Sequence, residues 1–247
     1  MRKRLIPVIL KSDHKLVKTT KFKNPRYVGD PRNTVSIFSD FQVDELIVLD
    51  VKVSKNGIDF DVLRAIAAEA HMPIAYGGGI SSVEDVGRIL SSGFEKVVLN
   101  TAVYDDPHLV EVCASTFGSQ AITVSIDVRI GKKGYSCHSH GGRVKQSEDP
   151  IEWAKQCSDL GAGELLLTVI EREGTWRGID LDFTQRVSES VDIPVIAHGG
   201  IGSIQDVRDA YQVSHISAVA AGSFFVYQDE SAGVLVSYPE PSELDGM

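Results

Sequence analysis

The sequence repeats part of itself at an interval close to half its length. Residues 72–87 align without gaps to residues 193–208, and seven of the sixteen positions are identical. Residues 45–49 match residues 164–168 at nearly the same offset. Repetition at this period is typical of a fold assembled from two similar halves, and it disfavours two unrelated domains.

Short apolar runs rich in Val, Ile and Leu recur through both halves without clean alternation of polar and apolar residues, which is typical of strands buried on both faces of a parallel sheet. The eight runs are residues 5–10, 46–50, 73–76, 97–100, 121–127, 165–169, 194–197 and 216–221. Stretches with helical spacing lie between them, at residues 60–67, 83–90 and 151–160. The alternation predicts βα units.

Eight such units in 247 residues predict a single α/β domain, a (β/α)8 TIM barrel. We expect two half-barrels, of about residues 1–120 and 121–230, within one domain that covers residues 1–247. A doubly wound open sheet is the alternative, but it seldom has eight strands of such even spacing.

The last helix of the barrel is expected to be atypical or missing. The apolar pattern fades after Phe224, and Pro239 and Pro241 disfavour a regular helix. Residues 231–247 are therefore predicted to be a C-terminal tail.

Charge is distributed unevenly along the chain. Residues 1–32 carry a net charge of +8, which leaves −17 for the remainder because the total is −9. The acidic body disfavours nucleic acid as a partner, whereas the basic segment, expected in a loop after the first strand, could cover one anionic ligand or be solvated. No apolar run approaches the ~20 residues of a membrane span, and three widely spaced cysteines indicate a reducing, cytoplasmic compartment.

Two glycine-rich turns, at residues 77–79 and 199–200, follow the third and seventh predicted strands. Glycine lets a backbone approach a phosphate, and the helix that follows supplies N–H donors. The pairs Asn100–Thr101 and Gly222–Ser223 end the neighbouring strands. The duplication predicts two phosphate sites at the C-terminal face, and so a long ligand with a phosphate-like group at each end; tight turns without a ligand are the alternative.

Acidic residues end two other strands, and carboxylates at that face are candidate general acids or bases. These are Asp127 and Asp50, the latter equally compatible with capping the following loop. The position equivalent to Asp127 in the first half is Leu10. His198, at the end of the seventh strand, is a candidate substrate contact, whereas His138 and His140 are expected to be solvated; no metal-ligand spacing occurs, and no cofactor is predicted.

Four charged residues stand at the opposite strand ends, where they should ring the N-terminal mouth of the barrel; they are Arg4, Glu45, Lys96 and Glu164. Residues at that face usually contribute to the stability of the barrel. A closed ring of alternating charge could also gate a narrow passage.

The chain resembles the cyclase subunit of imidazole glycerol phosphate synthase over nearly its whole length. The matching segments are residues 4–7, 16–18, 29–31, 44–46, 77–80, 96 with 100–101, 117–120, 125–127, 140–143, 152–154 and 161–164. The resemblance implies a cytoplasmic barrel that pairs with a glutaminase at its N-terminal face. It also implies that ammonia crosses the barrel axis to an anionic bisphosphate substrate.

The resemblance assigns roles to individual residues. It implies a gate made of the four charged residues above, and catalytic or substrate-handling roles for Asp127, Glu173 and Lys18. The substrate and phosphate contacts that it implies, taken with the candidates above, are Gly79, Asn100, Thr101, Gly174, Gly200, Gly222, Ser223, Asp50 and His198.

Three departures from the family pattern stand in the predicted site. Leu10 replaces a catalytic aspartate, Glu173 replaces an aspartate, and His198 replaces a serine. Together with the segment at residues 16–27 and the altered last helix, they resemble an offshoot associated with glycosyl amidation in surface-polysaccharide synthesis, in which an acetamido group of a sugar becomes an acetamidino group.

The sequence therefore predicts a subunit that uses ammonia from a glutaminase partner on a phosphorylated, nucleotide-linked sugar, together with a separate amidation enzyme. One alternative is the ordinary cyclase of histidine biosynthesis. The other is a non-catalytic scaffold that activates a glutaminase and passes ammonia onward.

Overall fold

The computed structural model describes residues 3–53, 57–231 and 233–244. The predicted domain ends and part of the predicted tail, residues 1–2 and 245–247, lie outside the described residues. The described strands are β1 (Arg4–Ser12), β2 (Lys15–Thr20), β3 (Lys23–Gly29), β4 (Leu46–Lys52), β5 (Ile74–Gly77), β6 (Lys96–Leu99), β7 (Ile122–Gly131), β8 (Gly134–Ser139), β9 (Val144–Lys145), β10 (Glu164–Val169), β11 (Val195–His198) and β12 (Ile216–Ala221).

The described α-helices alternate with these strands. They are α1 (Pro31–Asp40), α2 (Phe60–Ala67), α3 (Val83–Ser91), α4 (Thr101–Asp105), α5 (His108–Phe117), α6 (Pro150–Asp159), α7 (Leu181–Ser188), α8 (Ile204–Tyr211), α9 (Ser223–Val226) and α10 (Pro241–Leu244). Aspartate or serine side chains cap the first backbone N–H groups of α1, α2, α3, α6, α7 and α8. Each of these helices therefore begins at the turn that follows its strand.

Eight parallel strands close into a barrel. The pairing runs β1–β4–β5–β6–β7–β10–β11–β12, and β12 pairs again with β1. The predicted (β/α)8 fold is thus confirmed, and each predicted apolar run overlaps one of these strands, four of them extending one residue beyond it. Outer side chains pack between strands and helices in the main core, while a smaller apolar cluster fills the barrel interior.

A β-hairpin follows β1 where the sequence predicted a loop. β2 pairs antiparallel with β1 and β3 pairs with β2. Residues 15–29 are largely polar, so these strands contain no apolar run by which the sequence would predict them. β3 tolerates Pro25 because it is an edge strand. β8 and β9 likewise extend β7 where a loop was predicted.

The chain after β12 has no regular eighth helix among its described residues. The short helix α9 is followed by an extended segment, in which the Tyr238 hydroxyl donates to the Leu5 carbonyl over 3.0 Å and its ring stacks on Phe225. These contacts hold the extended segment against β1 and α9.

Candidate active site at the barrel mouth

The carboxyl ends of the barrel strands form a mouth whose inward-facing residues differ from one side to the other. Successive side chains alternate across a strand, and the interior apolar cluster ends in Leu10 on β1 and Leu49 on β4. On the opposite side the inward positions are polar; they are Asn100, Asp127, Thr168 and His198. The mouth therefore has an apolar side and a polar side.

Asp127 is the buried carboxylate of the polar side. Its Oδ1 atom accepts from the Ser125 hydroxyl over 3.1 Å, and its Oδ2 atom accepts from Asn100 Nδ2 over 3.3 Å. Burial raises the pKa of Asp127 to about 7, although the hydroxyls of Ser125 and Thr168 oppose the shift. Asp127 can therefore exchange a proton near neutral pH.

His198 lies two strands away and is also buried. Its Nδ1 atom is 3.0 Å from the hydroxyl oxygen of Thr168. Burial, reinforced by the nearby Lys18, lowers the pKa of His198 to about 3. The imidazole is therefore neutral at physiological pH.

The hairpin β2–β3 brings Lys18 over the mouth. The Lys18 ammonium pairs with the buried carboxylate of Glu173, and the backbone N–H of Lys21 donates to the Glu173 carbonyl over 2.9 Å. Desolvation lowers the pKa of Lys18 to about 7. A side chain at Gly174, which has a positive φ of 69°, would overlap the Thr19 carbonyl oxygen, and one at Gly222 would displace the end of the Lys18 side chain.

Asp50 has a different environment from Asp127. Its Oδ2 atom accepts from the buried ammonium of Lys11 over 2.5 Å, and its Oδ1 atom accepts from the Lys52 N–H over 3.1 Å. Burial and the Asp50 carboxylate both raise the pKa of the Tyr76 hydroxyl. Asp50 thus lies in a buried ion pair on the outer side of the strands, and its part in substrate binding stays a prediction.

The two glycine-rich turns lie where the sequence placed them, before α3 and α8. A side chain at Gly78, with φ of 124°, would overlap the Asp50 carbonyl oxygen, and one at Gly200, with φ of 117°, would overlap the Gly178 carbonyl oxygen. Only glycine fits both the dihedral angles and the close backbone contacts. The backbone of the first turn is therefore held close to the end of β4, and that of the second turn close to the loop that contains Gly178.

The other predicted contact residues gather around these turns in two groups. Gly79 follows the end of β5, and Asn100 and Thr101 follow the end of β6, where Asn100 contacts Asp127. Gly174, Gly222 and Ser223 lie around Lys18 on the other side.

The four charged residues predicted at the opposite end of the barrel do come together. Arg4 pairs with Glu45 and with Glu164. Lys96 Nζ lies 2.9 Å from a Glu45 oxygen and 3.1 Å from a Glu164 oxygen, so the ring is continuous. Ser217, which the sequence did not single out, joins it by hydrogen bonds of 3.2 Å to Arg4 and to Glu164, at a position where the β11–β12 register shifts.

Several residues of the mouth escaped the sequence reading. Thr168 is a polar residue within the apolar run of residues 165–169, and it matches Leu49 in the internal repeat, so the sequence did contain a signal for it. Lys11 lay inside a basic segment and gave none. Trp176 has a positive φ of 60° and packs on Gly202 beside the second glycine turn. The expectation that His138 is solvated was wrong, because it lies in β8 and is buried, whereas His140 is exposed as expected.

Among the described residues no cluster of three or more His, Cys, Asp or Glu side chains is arranged to hold a metal ion. The helices that the structure describes are all too short or too polar to cross a membrane. All three cysteines are buried free thiols.

Comparisons with known proteins agree with the architecture. The model of a family described as "Histidine biosynthesis protein" matches residues 4–231. A Pseudomonas aeruginosa protein named "Putative imidazole glycerol phosphate synthase subunit hisF2" is 43% identical over 248 residues, which cover 99% of each chain. The "Imidazole glycerol phosphate synthase subunit HisF" of Alkaliphilus metalliredigens is 39% identical over 232 residues, 93% of this chain and 92% of that protein.

Proposed function

Because the chain belongs to the family of histidine biosynthesis proteins, we propose that it is a synthase subunit that uses ammonia from a partner glutaminase on an anionic phosphorylated substrate. The finer proposal is amidation of a nucleotide-linked sugar for a surface polysaccharide, in which a separate amidation enzyme takes part. The observation that carries it is a complete ring of charges at one end of the barrel combined, at the other end, with Asp127 as the one carboxylate among the inward-facing strand residues that the structure describes.

Support for ammonia delivery comes from the ring and from the barrel interior above it. The ring of Arg4, Glu45, Lys96 and Glu164 lies at the N-terminal end, the face assigned here to the glutaminase. Above it the interior is lined by aliphatic side chains, among them Ile6, Leu166 and Ala218. A neutral ammonia molecule can cross an apolar lining, whereas an ammonium ion would lose its hydration there at high cost.

Support for chemistry at the mouth comes from the polar side. Asp127 is the proposed proton-handling group, since its pKa of about 7 allows it to give or take a proton. Lys18 and Glu173 are proposed to meet the substrate, because their buried pair is held over the mouth by the hairpin β2–β3. The two glycine turns, with Asn100–Thr101 and Gly222–Ser223, are proposed to hold its phosphate groups.

Leu10 separates amidation from cyclisation in this proposal. A leucine cannot move a proton, and loss of a general acid or base commonly lowers a rate by about 10²–10⁴-fold. Ammonia delivery would be retained while the cyclase reaction is lost. Imidazole glycerol phosphate formation, as the names of the relatives suggest, is the second candidate function, and Asp127 beside Asn100 at the mouth favours it.

The test compares the unmodified protein with a variant that restores the acid at residue 10 and with a control variant that introduces an acid at residue 49. Imidazole glycerol phosphate formation from the cyclase substrate and free ammonium salt is measured for the unmodified protein, Leu10→Asp and Leu49→Asp. Leu49 is the matched control because it is the inward-facing leucine of the neighbouring strand. We expect little turnover by the unmodified protein and a higher rate of turnover for Leu10→Asp but not for Leu49→Asp. We also expect that the unmodified protein does not rescue a histidine auxotroph.

Normal cyclase rates in the unmodified protein would overturn the amidation proposal. A positive result requires transfer of ¹⁵N from labelled glutamine to a nucleotide-linked acetamido sugar when glutaminase and amidation enzyme are both supplied. Stimulation of the glutaminase without binding of any phosphorylated sugar would instead favour a scaffold without catalytic function.

A further inference from the structure

Three side chains on adjacent strands form a polar chain across the mouth. Thr168 on β10 is the direct Cα partner of Asp127 on β7 and of His198 on β11. Its hydroxyl lies 3.0 Å from His198 Nδ1, and its side chain lies beside Asp127 across the strand pair and acts to lower the pKa of that carboxylate. All three residues are buried.

A hydroxyl between these two groups has a single proton to donate, so its two hydrogen bonds depend on each other. If Thr168 donates to an ionised Asp127, its oxygen is left to accept from His198 Nδ1–H. If Asp127 is protonated and donates to Thr168, then Thr168 donates to His198 Nδ1. A neutral imidazole carries its proton on one nitrogen only, so the other nitrogen, Nε2, changes from acceptor to donor.

The free end of this chain is Nε2 of His198. No described residue forms a hydrogen bond with this nitrogen. It does not belong to the fully buried polar atoms that lack a partner, so part of its surface is exposed. Water or a ligand in the mouth can therefore reach it. Among the described residues, the charged and titratable groups around these three side chains are Lys18 with its partner Glu173, Arg129, His138, which is the Cα partner of Asp127 on β8, and Tyr104 and Cys137, which interact electrostatically with Asp127.

We propose that Asp127, Thr168 and His198 form a proton relay, in which the protonation state of Asp127 sets the tautomer that His198 presents to the substrate. The proposal deepens the proposed function, on which it rests for the identity of the substrate at the mouth. His198 is then the group that touches the substrate, and Thr168 is a positioning residue that acts through both neighbours.

The relay carries one proton from the substrate to Asp127, while His198 and Thr168 each gain one bond to hydrogen and lose another. An N–H or O–H group of the substrate gives its proton to His198 Nε2. The Nδ1 proton passes to the Thr168 oxygen, and the Thr168 hydroxyl proton passes to the Asp127 carboxylate. The negative charge thus leaves Asp127 and arrives on the substrate, and no imidazolium ion is formed, which agrees with the low pKa of His198.

The relay can be tested without knowing the substrate. Long-range ¹H–¹⁵N correlation spectra of ¹⁵N-histidine-labelled protein report the tautomer of each of the seven histidines, and His198→Gln identifies the His198 signals by their loss. We expect Nε2–H below pH 7 and Nδ1–H above it. The ratio of tautomers should change at least about tenfold, as for loss of a hydrogen bond to a charged group.

Three variants separate the relay from other causes. Asp127→Asn and Thr168→Val should each give one tautomer at every pH, whereas Thr168→Ser should keep the exchange. Ser125→Ala is the matched control, since Ser125 also donates to Asp127 but does not contact His198. It should change only the midpoint.

A tautomer that does not change with pH in the unmodified protein would overturn the proposal. So would a change that persists in Asp127→Asn, which would assign it to Lys18, or the appearance of a doubly protonated ring near pH 7. These outcomes are independent of whether the protein amidates a sugar, so the relay and the proposed function can fail separately.

Discussion

The buried pair of Lys11 and Asp50 yields a prediction that can be worked through in energy. Their side chains are 5% and 3% exposed, and the ammonium lies 2.5 Å from the carboxylate. Lys11→Met keeps an unbranched side chain but removes the charge, so Asp50 is left as an unpaired buried carboxylate. Breaking a buried pair in this way costs about 3–5 kcal/mol.

That cost corresponds to a measurable change in melting temperature. With an unfolding entropy of about 2.1 cal/mol/K per residue, a chain of 247 residues should lose about 6–10 °C in Tm. Asp50→Asn should cost a similar amount, because it leaves Lys11 unpaired. The double variant should be more stable than the sum of the single changes predicts, by up to about 3 kcal/mol. Thermal unfolding followed by circular dichroism measures all four proteins.

An exposed pair nearby provides the control. Lys52 and Asp13 are 3.0 Å apart, but their side chains are 67% and 54% exposed. Lys52→Met should therefore cost less than about 1 kcal/mol. If Lys11→Met is as mild as Lys52→Met, or if the two changes at the buried pair simply add, the reasoning is refuted, and Asp50 would then be free to act on a ligand.

Three further predictions concern the mouth and the charge ring. Burial raises the pKa of Asp127 from 3.8 to about 7, so the folded state favours the protonated form, and the stability that this group contributes is complete below about pH 4 and is lost as the pH rises through 7. Asp127→Asn should therefore stabilise the protein at pH 8 by up to about 4 kcal/mol, measured by urea unfolding, and should have little effect at pH 4. Gly200→Ala should destabilise the protein more than Gly134→Ala, because both glycines have φ above 100° but only Gly200 faces a neighbouring backbone. Backbone strain alone costs about 1–3 kcal/mol, so equal losses of Tm in the two variants would contradict the predicted overlap with Gly178. Glu164→Gln should lower the free energy of unfolding by about 1.5–3 kcal/mol, because Glu164 pairs with Arg4 and Lys96. Glu69→Gln, in an exposed pair with Arg32, should lower it by less than about 1 kcal/mol, and equal changes in the two variants would refute the argument.

The barrel strands could be predicted from the sequence because burial on both faces imposes a pattern on the residues themselves. The runs at residues 46–50 and 165–169 need aliphatic side chains on each face, whatever their neighbours are. The hairpin β2–β3 has no such requirement. Lys23 and Arg26 are exposed, and its edge strand is held by hydrogen bonds to β2 that no composition reveals.

The site was predicted where a residue type has few other uses at a strand end. Asp127 after an apolar run and the paired glycine turns are of this kind. Lys11 and Thr168 are not, since their partners depend on strand register: the β1–β4 register shifts between Lys11 and Ser12, and Thr168 faces His198 only because β10 and β11 align as they do. Closure of the barrel fixes both registers, and closure is a property of the whole chain.

Leu10, with Leu49 on the neighbouring strand, gives the mouth its apolar side. A carboxylate at residue 10 would face Asp127 across the opening, and two acids could then share proton transfer between opposite strands. Leu10 leaves β1 without a proton carrier, so proton transfer along the inward-facing side chains is confined to the side formed by Asp127, Thr168 and His198. If the proposed relay operates, a substrate places the group that gains or loses a proton against β7, β10 and β11. Exchange of Leu10 for an acid changes which side of the substrate can react, while the glycine turns and the charge ring stay as they are.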